Sequence, residues 1–300
     1  MNKDNFIHSF VHPIFTSLIG SILFSYLTGL ITRCAGVSSI IIFRVLVILA
    51  FLMSFFIFLR IYRYYQNKIP QRIRAIVFDF DGTLTQNNST RSSWEKIWIL
   101  LGYKVQDCQK LYDRFKAKEI DHQRWCDLTC TAFKKKKLTR ETLTKIAQEI
   151  QLMDGVKEVL AKLKNNHNLK LFIVSGSIIQ LIEIIIGDDI EDYFDGYKAN
   201  SFIFHPNNTL LTIHGTKYDF EGKAEYIKKI VQEEGLKSAS EILFIGNSDN
   251  DVYAYKSGAQ TLCFNPKLTD GKNKKIWHKT FKADSYHDLY EFIKQNYILE

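Results

Sequence analysis

The sequence predicts an α/β domain built on a parallel sheet, with a helical insertion in it and two membrane-spanning helices ahead of it. Three observations carry that prediction. Short apolar runs, each ending in a polar cluster, alternate with helix-period patterns from about residue 72 onward. No convincing strand interrupts residues 86–153, which therefore read as a helical insertion over the strand ends. Before residue 60 the chain is dominated by two long apolar stretches.

The first stretch, Pro13 to Thr32, holds no residue charged at neutral pH, and its twenty residues span roughly 30 Å as a helix, the thickness of a bilayer core. The second, Ile40 to Leu59, repeats it with Arg44 near one end, where a long side chain can snorkel to the interface. A secretory signal is the competing reading, disfavoured because the first run is too long and a second follows at once. Ser17, Ser21, Ser25 and Gly29 fall four apart, a row of small residues that would let a neighbouring helix approach, within a hairpin or in a dimer. Beyond the second span come Arg60, Arg63, Lys68, Arg72 and Arg74 interleaved with Tyr62, Tyr64 and Tyr65, the signature of a cytoplasmic flank. The expectation is an anchor over residues 1–71 with spans at about 13–32 and 40–59. A domain over 72–300 would then face the cytoplasm.

Bulk properties agree with this division. The apolar fraction is 46% and the formal charge +8, but the basic excess clusters beside the first apolar block and in short lysine runs such as Lys134 to Lys137. That placement suits a membrane surface, not a nucleic acid. Five cysteines form no CxxC pair, so reduced thiols are expected, with Cys126 and Cys130 as core residues.

Within the soluble body, Ile73 to Phe80 reads as a buried strand ending in the glycine turn of DFDGTLT, which leaves Asp79 and Asp81 at its carboxyl edge. Open α/β sheets keep their chemistry at that edge. Trp94, Ile97, Trp98 and Leu101 recur at helical spacing, as do Leu143, Ile146 and Ile150, inside the insertion. Val156 to Asn166 is a helix, Leu169 to Val174 a second strand, and Ser175-Gly176-Ser177 its junction with a helix over Ile178 to Ile186. A serine there can hold a phosphate together with helix N–H groups, or serve only as a cap. Ser201 to Ile213 reads as a small hairpin, and Lys223 opens the next helix. Glu241 to Ile245 is a third strand, running into Gly246-Asn247-Ser248-Asp249-Asn250-Asp251. Gln260 to Phe264 is a fourth, and Tyr286 to Ile298 a closing amphipathic helix. His205 and His214 read as surface residues at the hairpin, and Trp94, Trp98 and Trp125 as the core of the insertion, with a place on the substrate-pocket wall the lesser alternative for one of them.

Read together, DFDGTLT, Ser175-Gly176, Lys223 and GNSDND resemble, in order and spacing, the four motifs of the haloacid dehalogenase superfamily, in particular its phosphoserine-phosphatase-like branch. The resemblance covers about Arg72 to Ile293 and implies a Rossmann-like sheet with a cap inserted between the first two motifs. It further implies a Mg²⁺-dependent phosphomonoester hydrolase. Asp79 would be the nucleophile that forms an aspartyl-phosphate, and Asp81 the general acid and base. Ser175, Gly176, Lys223 and Asn250 would hold phosphate, with Lys223 also stabilising charge. Asp79, Asp81 through its carbonyl, Asn247 and Asp251 would hold the metal.

Two departures from the family pattern stand out. Asn247 occupies a position that is usually aspartate, and Asn88 stands where phosphoserine phosphatases carry a glutamate for the substrate amine. The substrate is therefore expected to be another soluble or lipid-headgroup monoester. The alternatives are a catalytically weak or inactive module that binds a phosphorylated partner, and a phosphotransferase using the same residues.

Overall fold

The structure is a computed structural model that describes residues 48–60, 70–86, 92–266 and 276–299. The chain divides into two units, Met1–Ile69 and Pro70–Glu300. In the first, residues 48–60 are helical, and large apolar side chains along them, among them Ile48, Phe51, Met53 and Phe56, are exposed. The predicted span at 13–32 and the first part of the one at 40–59 lie outside the described residues. Among the described residues no helix is long and apolar enough to cross a membrane.

The second unit is built around β2 (Ala75–Phe78), four apolar residues that are all buried. An apolar run with no polar alternation belongs in the middle of a parallel sheet covered on both faces. β2 pairs in parallel with β3 (Lys170–Ile178) on one side and β6 (Ile242–Gly246) on the other. Outward from β3 lie β4 (Gly196–Phe204) and β5 (Leu210–His214), and outward from β6 lie β7 (Gln260–Phe264) and β8 (Lys279–Phe281). All neighbours run parallel except β4 and β5, which form an antiparallel hairpin. The strand order reverses at β2, so the crevice beyond its carboxyl end is the switch point where such sheets bind ligands.

Register fixes that crevice. Phe78 lies opposite both Ile173 and Ile245, and the Asp79 amide continues the ladder to the Ile245 carbonyl at 2.9 Å. The residues that follow the three strands are therefore brought to one level.

Helices cover both faces. α5 (Val156–His167), α6 (Ile179–Ile186) and α9 (Tyr286–Asn296) share a core with Ile76, Phe78 and Ile173, whereas α8 (Gly222–Glu233) packs on Val77, Val174 and Phe244. The alternation of β2 side chains between faces supplies both cores.

Between β2 and α5 lies the helical insertion: α1 (Ser93–Leu100), α2 (Val105–Lys116), α3 (His122–Lys135) and α4 (Arg140–Gln148). Ser92 and Glu95 form a capping box at the start of α1, and Asp121 caps α3 by accepting from the Arg124 amide at 2.7 Å. Ile97, Trp98, Cys126, Cys130, Phe133, Leu143 and Ile146 form its core, which continues onto Phe202, Leu210 and Ile213 of the β4–β5 hairpin. The cap is thus seated on the sheet's outer edge.

Several boundaries differ from the sequence reading. β3 runs on to Ile178, with an irregular register after Val174, so Ser175 to Ser177 belong to the strand and not to the start of α6. β4 begins at Gly196, ahead of the predicted hairpin: its first half pairs with β3, and the hairpin itself runs from Ser201, paired with His214, as read. The end of the predicted closing helix is instead a strand, β9 (Tyr297–Leu299), paired in parallel with β1 (Gln71–Ile73) as a separate two-stranded sheet. Three-residue strands are too short to show a period, so β1, β8 and β9 left no readable signal.

Candidate active site

Asp79 follows β2 directly and is only 4% exposed. Its Oδ1 accepts a hydrogen bond from Nζ of Lys223 at 3.0 Å. Burial is the largest influence on its carboxyl, followed by repulsion from Asp251. Lys223 opposes both without cancelling them, and the pKa stands at about 7. Lys223, the second residue of α8, is wholly buried and also donates to Asp251 Oδ1. Burial by itself would lower its pKa, but the pull of Asp251 and Asp79 outweighs that and raises it, so the lysine is a fixed cation.

Asp251 is used on both sides. While Oδ1 takes the lysine, Oδ2 accepts the amides of Asn247 and Ser248, each at 2.9 Å, and the Ser248 hydroxyl at 3.1 Å. Asp251 therefore ties the loop after β6 to Lys223. Asn247, also buried, donates Nδ2 to the Gly82 carbonyl at 3.0 Å. A carbonyl only accepts, so this bond identifies the nitrogen and leaves Oδ1 as the free end of the amide. That Oδ1 is buried with no hydrogen-bond partner. An orphaned acceptor of this kind costs about 1–3 kcal/mol unless something electropositive meets it. Gly82 makes the turn after β2 with φ of +74°, a conformation that favours glycine.

Among the described residues no group of three His, Cys, Asp or Glu side chains could hold a metal ion. The oxygens at this strand edge nevertheless fit a hard cation. Asp79 supplies an anionic oxygen and Asn247 a neutral one without a partner, donors of the type Mg²⁺ accepts.

Asp81, at the turn, has its carboxylate held by the cap. The Ser93 amide donates to Oδ2 at 3.2 Å and the Ser93 hydroxyl at 2.6 Å. Ser93 Oγ also lies 2.9 Å from Ser177 Oγ. Ser175 is buried, its Oγ accepting the Ser177 amide at 3.1 Å. The Gly176 carbonyl takes two bonds at 2.8 Å, from Trp94 Nε1 in the cap and Asn200 Nδ2 on β4. A Cβ at position 176 would overlap the Asp219 carboxylate, which requires glycine there. Asp219 in turn pairs with His122 at the start of α3, and this partnership lifts the His122 pKa to about 10 although burial pulls it down.

Asp79, Asp81, Ser175, Gly176, Asp249 and Asn250 line one cavity of about 370 Å³ between sheet and cap. Asn250 accepts the Ser248 hydroxyl beside it. All the sequence-predicted site residues thus meet at one strand edge, with Lys223, Asn247 and Asp251 directly behind it. Sequence reasoning missed Ser93, Ser177, Asn200, Asp219 and His122. A serine at a helix start reads as a cap and nothing more, and the Asp219–His122 pair bridges 97 residues. Asn88 lies outside the described residues.

Solved structures share this fold. A phosphoserine phosphatase carrying a phospho-aspartyl intermediate analogue is 20% identical with a TM-score of 0.57, covering 74% of this chain and 99% of that one. A haloacid dehalogenase family hydrolase from Salmonella enterica serovar Typhi gives 15% identity and a TM-score of 0.61, over 75% and 72%. A probable phosphoserine phosphatase from Vibrio cholerae gives 14% and 0.58, over 78% and 70%. At these identities the likeness is one of fold. No curated protein matches the chain in sequence. The family model for haloacid dehalogenase-like hydrolases matches residues 73–258, from β1 through the loop that holds Asp251, and with the strand-edge carboxylates in place the chain belongs to that family.

Proposed function

We propose that the protein is a Mg²⁺-dependent phosphomonoesterase that works through an aspartyl-phosphate. The observation that carries this reading is the buried triad in which Lys223 bridges Asp79 and Asp251 beside the unpartnered oxygen of Asn247. Lys223 holds one oxygen of Asp79 and leaves the other to attack phosphorus. As the new O–P bond forms, the ester P–O bond breaks, and the leaving oxygen takes a proton from Asp81. Water then attacks the aspartyl-phosphate, Asp81 takes back a proton, and free phosphate and the Asp79 carboxylate are regenerated. Ser175, the backbone at Gly176, and Asn250 are placed on the cavity wall to hold the transferring oxygens.

Asp79, Asn247 and the Asp81 carbonyl would hold Mg²⁺, with Asp251 orienting the Asn247 loop through the bonds described above. Bound there, Mg²⁺ supplies positive charge against the repulsion between carboxylate and phosphate. The free Oδ1 of Asn247 favours this reading over an inactive binding module, since an amide oxygen turned inward without a donor suits a cation.

The substrate is a soluble or lipid-headgroup monoester, and the anchor of residues 1–71 holds the enzyme at a membrane with its catalytic domain toward the cytoplasm. The absence of charge from residues 48–59 and the exposure of their apolar side chains support that anchor. The test is phosphate release by the full chain in detergent, with Mg²⁺ and with chelator, against Asp79→Asn. Turnover that needs both the metal and Asp79 is the expected result. Turnover that survives Asp79→Asn, or silence against soluble and vesicle-borne monoesters alike, would sink the proposal.

A further inference from the structure

The cavity over Asp79 has two unlike ends. Around the nucleophile the wall is polar, made by Asp81, Ser175, Gly176 and Asn250. Farther from it the wall carries four rings, Trp94, Tyr112, Trp125 and Phe220, set among Glu95, Gln109 and Lys116. These rings differ from those of the cap's own core, where Phe133 and Phe202 are buried almost completely. All four at the cavity are half-buried, and each keeps part of its surface on the open space.

They are also braced as a continuous aromatic shell. Trp125 lies 6.5 Å from Trp94, 5.9 Å from Tyr112, and stacks on Phe115 at 5.3 Å. Phe115 reaches Phe220 at 5.0 Å, and Phe220 meets Tyr253 edge-on at 6.1 Å. Trp94 is pinned by its own bond to the Gly176 carbonyl. Rings supported from behind cannot fold inward to fill the void, so their free faces stay available to a flat guest. The phosphate end and the aromatic end belong to one cavity of about 370 Å³, within the range that holds a small organic molecule.

We propose that the leaving group of the substrate carries a planar ring, which lies among Trp94, Tyr112, Trp125 and Phe220 while its phosphate meets Asp79. This inference rests on the phosphomonoesterase reading above and adds to it the chemical class of the alcohol. A small acyclic alcohol such as serine or glycerol has no flat face to offer these rings, and gains nothing from them beyond the phosphate contacts.

The experiment separates the two readings. The full-length Asp79→Asn chain, which cannot turn substrate over, is titrated calorimetrically in Mg²⁺ with p-nitrophenyl phosphate and adenosine 5′-monophosphate. The non-planar comparators are glycerol 3-phosphate and O-phosphoserine. In parallel, phosphate release from the same four compounds is measured with the unaltered chain. Ring-bearing monoesters are expected to bind on the order of tenfold more tightly, the scale of one or two aromatic contacts. That preference is expected to collapse when Trp125→Ala or Phe220→Leu is added, the second keeping an apolar side chain of similar bulk in place.

Equal affinity for the two classes, tighter binding of the non-planar pair, or no binding of any of the four would overturn the ring proposal. So would a preference that survives both substitutions. Ring-selective binding without turnover by the unaltered chain would remove the phosphatase reading and, with it, the leaving group, keeping only a ring-selective site for a bound monoester. Turnover without ring preference would do the reverse.

Discussion

Nζ of Lys223 lies 3.0 Å from Oδ1 of Asp79, and neither side chain is more than 5% exposed. With Asp251 on its other flank, this single cation stands between two buried carboxylates, of which Asp79 also lines the cavity. In Lys223→Met the two acids would face each other uncompensated, and the pKa of Asp79 would climb further above 7. Removing one partner of a buried pair costs about 3–5 kcal/mol. The expected outcome is an unfolding free energy in urea lowered by that amount, partly restored by Mg²⁺, with phosphate release abolished.

Asn247→Asp tests the orphaned oxygen. Aspartate cannot donate to the Gly82 carbonyl, so without metal the variant loses that bond and gains a third buried acid, at a cost of about 1–3 kcal/mol. With Mg²⁺ the added charge strengthens the site. The stability gap to the parent chain should therefore close or reverse as Mg²⁺ is titrated, read by denaturant unfolding. A gap indifferent to Mg²⁺ would remove Asn247 from the metal set.

Ser93 holds the Asp81 carboxylate from the cap side. Ser93→Ala deletes the hydroxyl contact and leaves the backbone one, so the carboxylate is freed to turn without being displaced. General acid–base catalysis contributes about 10²–10⁴-fold, and loss of orientation should forfeit on the order of tenfold of it in kcat, with KM little altered. A change confined to KM would assign Ser93 to substrate binding instead.

His122 gives the cap a pH dependence. Its pKa is about 10 in the folded chain against 6.5 in the open one. Burial depresses it, and the bonds to Asp219 and Cys126 more than restore it. Between those values the native state keeps a proton that the unfolded chain has released. The stabilisation is complete below about pH 6.5, falls as pH rises, and is gone above about 10, a span on the order of 5 kcal/mol. Urea midpoints at pH 6, 8 and 10 should fall more steeply for the parent than for His122→Gln.

The site was legible in the sequence where chemistry coincides with a strand end. Asp79, Ser175 and Asn247 each follow an apolar run long enough to read, and register then brings them level. The cap was legible from the helical spacing of Ile97, Trp98, Leu143 and Ile146, which do form its core. Trp94 packs against that core as read, but it and Trp125 also line the cavity, because period shows which face is apolar and not whether something packs against it. Ser93, Asn200, Asp219 and His122 carry no local signal: each acts through a partner far along the chain.

The domain's two ends are stitched together. Gln71 to Ile73 pair with Tyr297 to Leu299, and the buried Tyr286 hydroxyl donates to the Thr83 carbonyl at 2.9 Å, bracing the turn that follows the nucleophile from 203 residues away. Ribosomes add about 5–20 residues per second, so a growing chain presents Asp79 for about 10–40 s before Tyr286 has been made. Through that interval the four apolar residues of β2 and the turn after them lack their last support, and closing so long a loop is slow in itself. A chain stalled after residue 258 would carry every family motif and still lack the bond that braces the turn after Asp79.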